Sequence, residues 1–182
     1  MGARTVYLIP TDDDLASKAY CQKVTRCVVT MGVIDEEEDE DEGGYLAGPK
    51  SLSILSKKAD ADDAFQSCEI YGSRTARLIP QVPAVSPTCP KCAKKLEDMF
   101  YEVVNEVEMN TEDASDYSKV RITCPKCKAS HALVELNDPV GIFLASKYIC
   151  IEDLQGKLSH KWLAEFEKKS GIKHRAYAYW YT

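Results

Sequence analysis

Four cysteines set in two matched hooks limit how this chain can fold. Cys89-Pro90-Lys91-Cys92 is followed, after 31 intervening residues, by Cys124-Pro125-Lys126-Cys127. In each hook the two residues between the cysteines let the backbone wrap so that both sulfurs face one point. Pro90 and Pro125 pre-set the turn and remove a backbone donor. Two such hooks can close a tetrahedral four-thiolate site, with Zn–S bonds of about 2.3 Å. Zinc is borderline-soft and favours thiolate, and four thiolates leave no coordination position open. A closed site of this kind is structural: it stands in for the apolar core that a small module cannot build. The expected ligands are Cys89, Cys92, Cys124 and Cys127, holding one structural Zn2+ ion. A competing reading of a Cys-x-x-Cys pair is a redox dithiol.

The doubled hook resembles a zinc ribbon over residues 86–137. The resemblance implies β-hairpins carrying the two hooks. Many ribbons place Gly directly after the second cysteine of each hook, where this chain has Ala93 and Lys128. His131 is a substitute ligand in principle. With four cysteines already in hand, it is expected to be a solvent-facing strand residue.

Composition narrows the rest. The chain has 182 residues, 45% of them hydrophobic, and ten are Tyr, enough for a sizeable core. No run of 18 apolar residues occurs, so no membrane span is expected, and the apolar run at the start reads as too short for a signal peptide. The expected location is cytoplasmic, and an intracellular chain with eight cysteines is expected to keep them reduced or metal-bound. The formal charge of −6 argues against a broad phosphate-binding face. Within 86–137 there are seven Lys or Arg against nine Asp or Glu.

Along the chain, 5–9 reads as a strand stopped by Pro10. Thr11 or Asp12 is positioned to cap a helix whose stripe is Leu15, Ala19, Val24, Cys27, Val28 and Met31. Cys21 and Cys27 read as small buried hydrophobes. Eight consecutive carboxylates at 35–42 repel one another, so 35–44 reads as a flexible acidic loop. A short helix is expected at 51–58, then a strand near 66–71 that 74–78 extends or pairs with. Pro80, Pro83 and Pro87 make 79–88 a stiff linker. Residues 99–109 fit either a helix face or a strand, and the ribbon context points to a strand. Residues 110–116 read as the hairpin tip. A strand near 146–151, a helix from a Ser159 cap to Lys169 with Gly171 as its stop, and a last strand at 174–182 close the chain. In that strand Ala176, Ala178 and Trp180 share one face, and Tyr177, Tyr179 and Tyr181 the other. That tyrosine face is either an open partner surface or a buried layer.

The order strand–helix–strand, insertion, strand–helix–strand predicts an α+β fold. It is a ferredoxin-like split βαβ layer, built from 1–85 and 138–182, with a zinc ribbon inserted at 86–137. No nucleophile–base pairing or phosphate-cradling glycine loop occurs, and His160 and His174 read as surface residues, so no catalytic activity is expected. The expected function is a zinc-stabilised module that binds another protein, a basic one by charge, as an inhibitor or immunity-type protein would. A nucleic-acid adaptor using Lys91, Lys94, Lys95, Lys126 and Lys128 is the alternative, and a thiol redox protein the third reading.

Overall fold

The computed structural model describes residues 4–11, 14–39, 44–57, 62–79, 85–109, 117–138 and 141–180. Pro80, Pro83, the tip at 110–116 and Tyr181 lie outside them. The fold is mixed α+β, and it divides into two compact units, Met1–Gly72 with Lys147–Thr182, and Ser73–Ser146. Both boundaries fall inside strands.

In chain order the first unit runs β1 (Arg4–Pro10), α1 (Ser17–Thr30), β2 (Ile34–Asp39), β3 (Gly44–Ala47) and the start of β4 (Ser67–Ile79). The chain comes back through α2 (Glu97–Met109), β5 (Arg121–Thr123) and β6 (Ser130–Ala132) of the second unit. It then enters β7 (Phe143–Glu152), α3 (His160–Ser170) and β8 (His174–Trp180). The six-stranded sheet has the order β2-β3-β4-β7-β1-β8. β1 pairs antiparallel with both β7 and β8. Thus β7 lies between β1, which precedes α1, and β4, which follows α1 after the β2–β3 hairpin, and β1 lies between β7 and β8, the strands that flank α3. These two interleaved crossovers are the expected split βαβ layer, with the β2–β3 hairpin added at the edge.

Side-chain alternation explains the layering. Val6 and Leu8 of β1, with Ile149 and Ile151 of β7, pack against Tyr20, Val24 and Val28 of α1 and Trp162 and Phe166 of α3. The α1 residues recur every four positions, so one stripe faces the sheet. Each fully buried side chain of this size contributes about 1.5–3 kcal/mol. In α3 the Ser159 side chain accepts from the Trp162 N–H, and Gly171 closes the helix at φ 65°, as its sequence signals imply.

Several expectations change. α1 starts at Ser17 with Ala16 before it, and Thr11 instead donates from its backbone to the Lys173 carbonyl. Ala19 is exposed and Tyr20 takes its place in the core. The acidic run is not all loop, because its first residues form β2, paired with β3. Asp35 and Glu36 stay exposed on this edge strand, so hydration of the charges survives pairing. The short helix after Pro49 is a 3-10 turn at Ser51–Ile54.

The tyrosine side of β8 does face away from the helices, since Tyr177 lies opposite Tyr7 and Tyr179 opposite Thr5. It is not an open aromatic surface, because Tyr179 is only 7% exposed. Its ring meets Tyr7 at 5.8 Å, Tyr7 meets Tyr148 at 5.7 Å, and Tyr148 stacks on Tyr71 at 4.9 Å. The Tyr148 hydroxyl donates to Glu69 at 3.3 Å.

The second unit has its own core, formed by Leu78, Val85, Leu96, Phe100, Val104, Tyr117, Ile122, Leu133, Leu136 and Ile142. Residues 99–109, expected as a strand, are helical as part of α2. Phe100 and Val104 lie four positions apart on its buried side, in step with Leu96 just before the helix, and Glu97 and Asp98 suit the positive end of its dipole. β-Branched content misled here because Val103 and Val107 only flank the buried stripe. The hooks are therefore carried by two different elements. The first leads into a helix, and the second sits in the β5–β6 hairpin.

Candidate metal centre

Both hooks are built on the same pattern of backbone hydrogen bonds. The Cys89 N–H donates to the Lys94 carbonyl at 2.9 Å, and the Ala93 N–H donates back to Cys89 at 2.8 Å. In the second hook Cys124 donates to Ala129 at 2.8 Å, and Lys128 donates back to Cys124 at 2.9 Å. Ala93 and Lys128 close these turns with left-handed backbone, φ 56° and 61°. That is the conformation for which Gly is favoured. The sequence repeat Thr-Cys-Pro-Lys-Cys at 88–92 and 123–127 is thus a repeat of conformation.

The hooks meet. The Sγ atoms of Cys89 and Cys127 are 3.6 Å apart, as are those of Cys92 and Cys124. All four ligand atoms lie within 4.8 Å of one another. A tetrahedron with metal–sulfur bonds of about 2.3 Å has edges of about 3.8 Å. The four sulfurs therefore fit one metal ion. Cys89 and Cys124 are fully buried against the second core, and Cys92 and Cys127 are partly open.

Backbone dipoles prepare the sulfurs. The N–H groups of Cys127 and Lys126 pull the Cys124 thiol down to about 6. The Lys94 N–H acts likewise on Cys92, but desolvation and hydrogen bonds from the other three thiols push it up to about 11. The first effect favours a thiolate and the second a thiol, so a metal ion taken up here would displace protons.

The other four cysteines do not join the site. Cys21, Cys27, Cys68 and Cys150 are in the first unit, and all eight cysteines are free thiols. Burial raises the thiols of Cys21, Cys27 and Cys150, and it pushes Cys68 up to about 12. They are protonated packing groups, although Cys21 and Cys27 are only half-buried.

The three histidines fall in unlike places. His160 is exposed, as expected. His174 is not a surface residue, because its ring lies against Tyr20 and Phe166 in the helix-side core. His131 is not simply solvent-facing, because its Nε2 lies 3.4 Å from Cys89 Sγ. The signal for that contact was cross-strand. His131 pairs with Ile122, whose side chain is buried, and directly paired residues share a sheet face.

Lys91, Lys94, Lys95, Lys126 and Lys128 are all exposed around the paired hooks. Neither 88–95 nor 123–130 contains a carboxylate. Among the described residues, no helix is long and apolar enough to cross a membrane. Compared with protein-family models, curated proteins and solved structures, the chain matches none.

Proposed function

We propose that this chain is a non-catalytic, zinc-stabilised module that binds another protein. The observation that carries the metal part is the closure of the four sulfurs at tetrahedral spacing. Cys89, Cys92, Cys124 and Cys127 would hold the ion. A zinc ion so held supplies conformational stability and offers no open position to a substrate. The partner part rests on charge. The chain carries −6 overall, and its acidic run begins on an exposed edge strand. A basic partner complements that surface.

Two measurements test this reading. Native mass spectrometry of the purified chain should find one zinc ion per molecule, and none overturns the metal assignment. Partners captured from native lysate should be basic, should elute with rising salt, and should be lost when 35–42 is replaced by neutral residues. Capture indifferent to both overturns the charge argument.

A second reading has one specific observation behind it. The five exposed lysines lie in two hook segments that contain no Asp or Glu, on an acidic chain, which suits nucleic-acid phosphates. Binding to single- or double-stranded probes should then weaken steeply with salt, and Lys91→Glu with Lys126→Glu should abolish it. No retention at low salt removes this reading.

A further inference from the structure

We propose that His131 is part of the metal centre as a positioning residue, its Nε2–H donating to the Cys89 sulfur and slowing loss of the ion. The inference rests on the zinc reading above and extends it from the ligands to a residue that holds one of them.

The geometry comes from register. In the hairpin formed by β5 and β6, Arg121 pairs with Ala132, Ile122 with His131 and Thr123 with Ser130. Ile122 is 1% exposed, so the face it shares with His131 is the inner one. This brings an imidazole from the second hook's hairpin to the sulfur that opens the first hook, across 42 residues of sequence. The N···S distance of 3.4 Å suits a donor on sulfur, an acceptor larger than oxygen. It is shorter than the 3.6 Å between Cys89 and its sulfur neighbour Cys127.

The chemistry follows from charge. One Zn2+ with four thiolates carries a formal charge of −2, held here in a mostly buried setting. Each N–H aimed at a sulfur spreads that charge and makes the thiolate a poorer base, and a poorer base is slower to take up a proton and leave the metal. Backbone groups do this for Cys124 and Cys92. At Cys89 the donor is a side chain, and only a side chain can be removed by substitution. Donors outside the ligand set commonly change metal affinity by about 10–100-fold. Since His131 and Cys89 come from different hooks, the bond also ties the two halves of the site together. Losing it lets the first hook open while the second stays closed.

The test uses the full chain loaded with one equivalent of zinc, and separately with cobalt(II) as a chromophore. Three proteins are compared: the parent, His131→Leu, which keeps bulk but loses the donor, and His131→Gln, which keeps an N–H. Transfer of zinc to an excess of a coloured chelator should be about ten-fold faster or more in His131→Leu and close to the parent rate in His131→Gln. In the cobalt form, His131→Leu should move the sulfur-to-metal charge-transfer band to lower energy, with the tetrahedral d–d bands of a four-sulfur site unchanged. A merely structural role for the ring would not produce that band shift. Equal release rates and an unshifted band in His131→Leu overturn the proposal. So does a d–d spectrum that changes on substitution, since that would make His131 a ligand. If His131→Leu fails to fold, His131→Gln decides through the same band: a shift there, with the N–H retained, also overturns it. A parent chain that binds no metal would sink the zinc reading itself. A parent that binds one ion, with His131→Leu releasing it at the parent rate, sinks this inference alone.

Discussion

Ala93 and Lys128 occupy equivalent positions in the two hooks, and both hold left-handed backbone, at φ 56° and 61°. A side chain in that conformation costs about 1–2 kcal/mol, and Gly recovers most of it less its own entropy. Ala93→Gly and Lys128→Gly should each stabilise the metal-loaded chain by about 1 kcal/mol. Thermal melts should rise by about 2–4 °C for each substitution. A lower melting temperature in both would mean that the two turns do not hold this conformation.

The two cores should respond differently to metal removal. The chain's two tryptophans, Trp162 and Trp180, are in the first unit, whereas α2 and both hooks are in the second. Chelation, or Cys124→Ser, should reduce far-UV helical signal as α2 loses its support, while tryptophan emission stays near its folded position. Simultaneous loss of both signals would show that the first unit depends on the ion.

His174 gives the chain an acid-sensitive point. Its Nδ1 is 3.1 Å from the Ile172 carbonyl, to which it donates, and its Nε2 accepts from the Tyr20 hydroxyl at 3.4 Å. Burial pulls its pKa down to about 4, below an unfolded value of about 6.5. The unfolded chain therefore takes up the proton first. The stabilisation is present in full above about pH 6.5, falls as pH drops towards 4, and is gone below that. Its full size is about 3 kcal/mol. Urea midpoints measured from pH 7 to 4 should fall more steeply for the parent than for His174→Gln. Identical slopes would contradict the burial of this ring.

Gly72 sits where α1 crosses close to β4. A Cβ there would meet Cys21 Sγ at 2.6 Å and the Ser17 carbonyl oxygen at 2.9 Å. Since the oxygen is backbone, it cannot swing aside, and Gly72→Ala should destabilise by about 1–3 kcal/mol. Gly72→Ala combined with Cys21→Ala should recover only part of the loss. Full recovery would place the whole conflict at the thiol.

How much was legible in the sequence depended on how far apart the cooperating residues lie. The clustering of the four cysteines could be read because each hook is local and the two are alike. The last helix could be read because Ser159 and Gly171 sit at its ends with Trp162 and Phe166 between them. The order of elements was enough for the split βαβ layer. α2 was not legible, since Phe100, Val103 and Val104 satisfy a helix and a strand alike and ribbon context weighed the wrong way. The acidic run looked like pure loop because charge repulsion was weighed without the edge pairing that β3 offers. His131 and His174 were misjudged because Cys89 and Tyr20, against which they lie, are 42 and 154 residues away in sequence.

β4 and β7 are neighbours in the sheet, and the boundaries of the two units cut through both of them. The chain goes out on one strand and comes home on the strand beside it. A tight turn joining Gly72 to Lys147 would therefore restore an unbroken βαββαβ layer. For the segment mounted between those strands, the layer's hydrogen-bond ladder asks only that its two ends return side by side.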